Sequence, residues 1–513
     1  MSHGIKKNLI HSLSADEKNR LAQGKKGIER EAIRILKNDL ISNQSHQKYF
    51  GSALCHSYFT TDFSESLLEI ITPPFTENND LVNFLEKSHQ YISESIYDEK
   101  LWPASMPPNF QNRDFQIAEY GSSNIAKFKT LYRKGLSKRY GKPMQAISGV
   151  HFNYSLPEIF WKLNSNSHDQ DSSTSNRNIF YFNIIRNISR FGWLILYLFG
   201  ASPILNKTFL SSTPNGSKIF KDNIYFPYAT SLRMSHLGYQ NDSQADIEVS
   251  INSIDEYIFD LLNLTSEKSN KFKIKIPSEK SELLQLNDFQ LQIEDEYYSM
   301  IRPKSMSNEN IRPTSKLKKY GVEYIEIRSL DIDPWSPIGI SESTMNFIEA
   351  LILYSSFCES PPISNSEYKT IRENNHLVAT IGRQPNLNLE KDGKKITLKE
   401  WASYIVDEME PFLDILSISE LEIKNYKDMI SDPETTPSAR LINEVLEGSY
   451  SLDEFMVKIS EKNKEYFLSM DKKANEMWEK FDEEFHISLD KQKKLEQQSE
   501  ISFKNFLDNY LNS

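Results

Sequence analysis

The chain has 513 residues, 38% hydrophobic and 26% charged, with a formal net charge of −11. That is a globular composition, long enough for a large core. An acidic chain has no bulk electrostatic drive toward nucleic acid or an anionic membrane, so neither is expected as a partner. Any anionic ligand must be held by a local device. The two cysteines, Cys55 and Cys358, make no disulfide framework and have no metal–thiolate spacing. No apolar secretion signal stands at the N-terminus. The longest apolar run, FGWLILYLFGASPIL (191–205), is short and broken by Gly, Ser and Pro, which fits a buried helix better than a membrane span. These features predict a reduced, cytoplasmic protein.

In chain order, residues 1–23 read as helix, with Ser14 and Asp16 available as caps. Strand-like and helix-like segments then alternate to about residue 155. Residues 78–99 carry Leu81, Phe84, Leu85, Tyr91, Ile92 and Ile96 near helical spacing. Residues 164–178 are polar and read as a solvated, mobile loop. Helix returns over 179–200, and 210–223 and 304–321 read as further long loops. After residue 345 the pattern is helical. From Ser449 to Ser513 there is no Gly or Pro, and Lys and Glu flank apolar stripes. That tail reads as the solvated face of a helical bundle, with no evident chemistry. No linker separates two cores. The expectation is one α+β unit over 1–513, with sheet and site in 21–345 and a mainly helical part in 346–513.

Four strand-like segments show the same odd face, since side chains alternate with period 2. GIEREAIRI (27–35) places Glu29 and Glu31 together, opposite Ile28, Ala32, Arg30 and Arg34. TDFSESLLEIITPP (61–74) places Glu65 with Glu69, with Asp62 just before. SGVHFNYSLP (148–157) pairs His151 with Asn153, and GVEYIEIRSLDIDPWSPIGI (321–340) pairs Glu326 with Arg328. Any one of these could be a half-exposed strand showing charge to water. Together they are carboxylate-rich, with few of the Lys and Thr that usually cover exposed sheet. If the strands share one sheet, Glu29, Glu31, Glu69, His151 and Glu326 converge. That costs free energy unless cations sit between them. Oxygen-rich sites suit Mg²⁺ or Mn²⁺, which commonly share their coordination with substrate phosphates. Arg328 could then steady a transferring phosphoryl group. No phosphate-binding glycine loop is present: GLSKRYGKP (135–143) has the wrong spacing.

Nine segments in order, GIEREAIRI, TTDFSESLLEIITPP, WPASMP, YGSSNIAKFKTLYRKGL, QAISGVHFNYSLP, RFGWLILYLFGASP, YATSLRMSHLGY, YYSMIRPK and GVEYIEIRSLDIDPWSPIGI, resemble the bacterial glutamate–cysteine ligases of the enterobacterial type. The resemblance runs from about 21 to 345. It implies a glutamine-synthetase-like curved antiparallel sheet that forms a funnel-shaped site surrounded by helices. It implies ATP-dependent joining of L-glutamate to L-cysteine, the first step of glutathione synthesis. By the same resemblance Glu29, Glu31, Asp62, Glu69, His151 and Glu326 match metal ligands. Arg328 matches the arginine on the transferred phosphoryl group. Arg133, Gln145, Ser148 and Arg233 match the glutamate site. Tyr132, Tyr239 and Tyr298 match the cysteine pocket, and Asn153, Arg302 and Lys304 border ATP. A monomer and feedback by glutathione are further implications. The chain length leaves no room for an added glutathione synthetase module. The rivals are a ligase of the same fold with another amine acceptor, a two-metal phosphohydrolase, and a metal-stabilised scaffold without catalysis.

Overall fold

A computed structural model describes residues 7–110, 116–164, 174–239, 244, 247–273, 283–307, 309–498 and 501–512. The strands, in chain order, are β1 (Lys25–Leu36), β2 (Phe59–Thr61), β3 (Leu67–Ile71), β4 (Glu99–Leu101), β5 (Val150–Ser155) and β6 (Ile204–Asn206). They continue with β7 (Lys218–Phe220), β8 (Asn223–Tyr225), β9 (Ile301–Lys304), β10 (Tyr324–Leu330), β11 (Asn388–Lys391) and β12 (Lys394–Thr397). The main sheet runs β2-β3-β1-β5-β10-β9, and β4 pairs with the far end of β1. Every pairing in it is antiparallel. With helices packed against this sheet, the α+β expectation holds.

The two faces of the sheet have opposite chemistry. On one, Ile28 and Ile327 both stand opposite Phe152, and Ile325 stands opposite Tyr154. All five are fully buried, in an apolar cluster shared with the helices Thr174–Phe191, Trp193–Phe199 and Glu342–Phe357. The last of these is apolar around nearly its whole circumference, as a helix enclosed on all sides must be. Within the apolar run at 191–205, Trp193–Phe199 is the buried helix its composition suggested, and Ile204 and Leu205 enter β6. The other face carries the acidic side chains.

Arg30 and Arg34, alternating with Glu29 and Glu31, fall on the apolar side and are buried. Arg34 survives there because Glu99 lies 2.6 Å from its Nη1, and the carbonyls of Gln44 and Glu65 accept from Nη2 at 2.6 and 2.8 Å. Lys26 is buried against Glu349 in the same way.

Several local expectations change. The N-terminal region is two short helices, Lys7–Ser12 and Ala15–Leu21. Ser14 caps the second and shares a reciprocal capping box with Glu17, so Asp16 is not the cap. The helix at 78–99 is Asn78–Ser95. The expected loop at 164–178 is helical from Thr174, and 165–173 lie outside the described residues. Within 210–223 lies β7, part of a small sheet β6-β8-β7. Within 304–321 lies the helix Pro313–Tyr320, opened by a proline whose missing N–H is no loss in a first turn. The later helical region contains the β11–β12 hairpin, turned at Asp392 and Gly393, both at positive φ. Glu65 lies before β3. It accepts the backbone N–H groups of His46 and Glu119 at 2.7 and 2.8 Å, a structural post.

Glu99→Leu strands the Arg34 guanidinium in the core and is expected to cost about 3–5 kcal/mol, read as a lowered thermal unfolding midpoint. An unchanged midpoint would show that Arg34 needs no partner there.

Candidate active site

Strand register builds the site. Glu31 stands opposite Glu69, Glu29 opposite His151, Glu326 opposite Asn153 and Arg302, and Tyr324 opposite Lys304. Directly opposed residues share a face. Five strands thus deliver their charged side chains to one surface, four of them as the alternation in the sequence predicted and the fifth, β9, in addition.

One cluster centres on His151. Its Nδ1 is 3.1 Å from Glu29 Oε2 and 3.6 Å from Glu326 Oε1, and its Nε2 is 3.9 Å from Glu31 Oε1. One ligand atom from each of Glu29, His151 and Glu326 can lie within 4.8 Å of the others. Glu326 Oε2 faces Arg328 Nη1 at 3.1 Å, and its Oε1 faces Lys304 Nζ at 3.2 Å. Burial opposes ionisation of Glu326, but Lys304, Arg328 and His151 outweigh it and hold the carboxyl well below the usual range. Burial and Glu326 likewise oppose ionisation of Glu29, and His151 and Lys304 still bring it down.

In the second cluster, Glu31, Asp62 and Glu69, the two glutamates shift in the opposite direction. Burial, then the charges of Glu29, Asp62 and Glu31, push Glu69 well above the usual carboxylate range. Burial and Asp62 raise Glu31 as well, despite a hydrogen bond of 2.6 Å from the Gly149 N–H. Burial and like charge disfavour ionisation of Glu31 and Glu69, and a cation between the carboxylates would offset that. Nearby, Glu326 Oε1 is buried and, apart from its ion pair with Lys304, accepts no hydrogen bond among the described residues. A set of carboxylate oxygens with one imidazole fits a hard divalent ion such as Mg²⁺ or Mn²⁺.

The walls come from outside the sheet. The helix Asn124–Tyr140 starts at Ser123, whose side chain accepts from the Ala126 N–H, and stops at Gly141 with φ 83°. It presents Lys129, Tyr132 and Arg133. The Arg133 guanidinium donates to the Asp62 carbonyl and lies 4.7 Å from the Tyr120 ring centre. Tyr239 and Tyr298 stack with ring centres 4.3 Å apart, and the Tyr298 hydroxyl reaches the Arg328 carbonyl at 3.4 Å. These groups enclose a cavity of about 520 Å³. The cavity is lined by all six expected metal ligands, by Arg133 and Gln145, by Tyr132, Tyr239 and Tyr298, and by Arg302, Lys304 and Arg328.

Two expected residues stand behind the wall, and a third, Asn153, shares the site face as a support of Glu29. Arg233 and Ser148 are fully buried. Arg233 Nη2 donates to the Arg328 carbonyl at 2.8 Å, and Asp331 lies 3.9 Å from Nη1. It therefore braces the strand that carries Arg328. A Cβ on Gly149 would lie 2.1 Å from Arg233 Nη2, so this packing requires glycine. Asn153 donates to Glu29 Oε1 at 2.9 Å and orients that carboxylate. Tyr132 packs with Phe128, Leu131, Ile293 and Leu507, apart from the stacked tyrosine pair.

Among the cavity residues that the sequence reading missed are Lys129, Asp295, Lys316 and Tyr510. Lys129 lies inside a segment already singled out, four residues before Arg133. Tyr510 brings the tail, read from sequence as a solvated bundle face, to the cavity wall. Its helix, Phe503–Leu511, packs on Asn124–Tyr140 through Phe506, Leu507 and Tyr510, with Tyr510 4.5 Å from the Phe128 ring. Arg312 Nη1 fixes its end by donating to the Leu511 carbonyl at 2.8 Å. The helical spacing of those apolar residues was visible in the sequence; their target was not.

The raised carboxyls of Glu31 and Glu69 give the metal response a sign. A carboxyl raised by folding costs stability as pH climbs above its unfolded value, because the unfolded chain releases that proton first. A cation removes the cost. The Mg²⁺-induced rise in unfolding temperature should therefore be larger near pH 7.5 than near pH 5.5, where protons occupy the cation's place. An equal or larger rise at the lower pH would contradict this assignment.

Comparison with known proteins agrees with the geometry. The glutamate–cysteine ligase family profile matches residues 10–378. A glutamate–cysteine ligase of Alcanivorax borkumensis is 38% identical over 90% of this chain and 90% of its own. One of Aliivibrio fischeri is 38% identical over 94% and 95%. The structure of a Francisella tularensis glutamate–cysteine ligase in complex with AMP superimposes with a TM-score of 0.88 at 33% identity, covering 96% of this chain and 98% of that one. A bifunctional glutathione synthetase of Pasteurella multocida shares the fold, with a TM-score of 0.70 at 24% identity over 88% of this chain and 54% of that one. On this evidence the chain belongs to the glutamate–cysteine ligase family.

Proposed function

We propose that this protein joins the γ-carboxylate of L-glutamate to the amine of L-cysteine at the expense of ATP, releasing γ-glutamylcysteine, ADP and phosphate. The observation that carries this is the charged sheet face. Glu29, His151 and Glu326 meet within 4.8 Å, beside Arg328, Lys304 and a second acidic set. A solved relative binds AMP, which supports placing the nucleotide in this cavity.

A γ-carboxylate is a poor electrophile until one oxygen becomes part of a better leaving group. A γ-carboxylate oxygen attacks the γ-phosphorus of ATP, the bond to the β-phosphate oxygen breaks, and ADP leaves. The neutral amine of cysteine then attacks the carbonyl carbon of γ-glutamyl phosphate and phosphate departs, leaving the amide. Mg²⁺ held by Glu29, His151 and Glu326, and by Glu31, Asp62 and Glu69, would neutralise phosphate charge. Arg328 is placed to stabilise the phosphoryl group in transit, with its own charge fixed by Glu326 at 3.1 Å and its backbone braced by Arg233. Arg302 and Lys304 border the same side, and Arg133 and Gln145 face the glutamate position. The stacked Tyr239 and Tyr298 form a flat apolar wall suited to a small thiol side chain. Arg233, assigned to glutamate by resemblance, acts here as a brace of the Arg328 backbone, and Ser148 is buried behind the cavity.

Residues 1–513 work as one unit in this proposal, and the largest apolar cluster, which runs from Ile10 to Phe481, supports it. A monomeric state, a cytoplasmic location and feedback by glutathione complete the proposal by family likeness. No helix among the described residues is long and apolar enough to cross a membrane.

ADP release from ATP with Mg²⁺ should require both L-glutamate and L-cysteine. Release that ignores cysteine, or that responds better to another amine, would reassign the acceptor. Arg328→Ala should lower kcat by about 10²–10³ with substrates saturating, as loss of one preorganised donor does. An unchanged kcat would remove Arg328 from the chemistry.

A further inference from the structure

Lys129 lines the cavity, half-buried, on the helix that also carries Arg133. Residues four apart on a helix are neighbours on one face. Both cations lie against the same ring: Lys129 Nζ is 5.4 Å and the Arg133 guanidinium carbon 4.7 Å from the centre of Tyr120. Arg133 is tied to the Asp62 carbonyl. Among the described residues the Lys129 ammonium has no hydrogen-bonded or ion-paired partner and rests against the Tyr120 ring. A partly buried ammonium with three unused donors is costly unless an anion completes it.

We infer that Lys129 and Arg133 form a two-cation seat for one oxyanion of a bound substrate, either a phosphate of the nucleotide or a carboxylate of an amino acid. The inference rests on the ligase reading and adds Lys129 to it. The charged and titratable groups around Lys129 are Arg133 on its own helix, Glu69 on β3, Asp295 on the turn before β9, and Cys55. Burial and Arg133 bring the Lys129 ammonium down to about 8, against the opposing pull of Glu69, Asp295 and Cys55. An oxyanion in the seat favours the protonated form, so binding weakens as the free lysine loses its proton.

The test is steady-state kinetics with each of the three substrates varied in turn. Lys129→Met keeps the apolar stem against Tyr120 and removes the charge. It should raise the KM of one substrate by about ten- to a hundred-fold, the worth of a hydrogen bond to a charged group, while Lys129→Arg stays near wild type. A shift in the KM for ATP identifies a phosphate; a shift for glutamate or cysteine identifies a carboxylate. Three KM values within about two-fold of wild type would overturn the inference, since a seated charge is worth more than that. In the wild type the affected KM should climb between about pH 7 and about pH 9, and Lys129→Arg should flatten that rise. The same profile in both proteins would also overturn it, and this comparison decides alone if Lys129→Met does not fold. A wild type that makes no ADP would instead refute the ligase reading, so the two failures are distinct.

Discussion

Like charge crowded on one sheet face is the constraint on which the rest of this structure depends. Glu29, Glu31, Glu69 and Glu326 come from three strands of one antiparallel sheet, β1, β3 and β10, and the register leaves them no other side to occupy. The opposite face is committed to Ile28, Phe152 and Ile327 in the core. A one-residue slip would bury the acids and expose the core. Hydrophobic burial on one side therefore holds the electrostatic repulsion on the other.

The protein divides that repulsion into two kinds of site. Around Glu326 it supplies its own cations, Lys304 and Arg328, and the carboxyls there stay ionised. Around Glu69 the nearest charges are mostly carboxylates, and its ionisation is pushed well above the usual carboxylate range. The first arrangement is ready to meet a charged substrate. The second is ready to exchange protons for a metal. Arg233, wholly inside the wall, turns a buried cation into a brace for the Arg328 backbone, and Gly149 leaves the room for it.

Much of this was legible in the sequence because strands write their two faces in alternate residues. Glu29, Glu31, Glu69, His151 and Glu326 could be placed on one surface on the condition that their strands shared a sheet. The order of the strands was not legible, since it depends on long-range packing. Depth was not legible either. Ser148 and Arg233 sit in segments that resemble a binding site, yet both are fully buried. Glu65 has the right parity to join Glu69 but falls before the strand begins. Lys129 was passed over because helix spacing shows which residues share a face, not which face meets a cavity. Tyr510 was missed for a related reason: an amphipathic tail helix announces that it docks, not where.

The central claim is that this face transfers a phosphoryl group to the γ-carboxylate before the amine attacks. The most direct measurement uses L-glutamate labelled with ¹⁸O in the γ-carboxylate, with ATP, Mg²⁺ and L-cysteine. The account predicts one ¹⁸O in each inorganic phosphate released, because the oxygen that accepted the phosphoryl group leaves with it. Phosphate free of label would show that water or the amine, and not the γ-carboxylate, received the phosphoryl group, and would contradict the account.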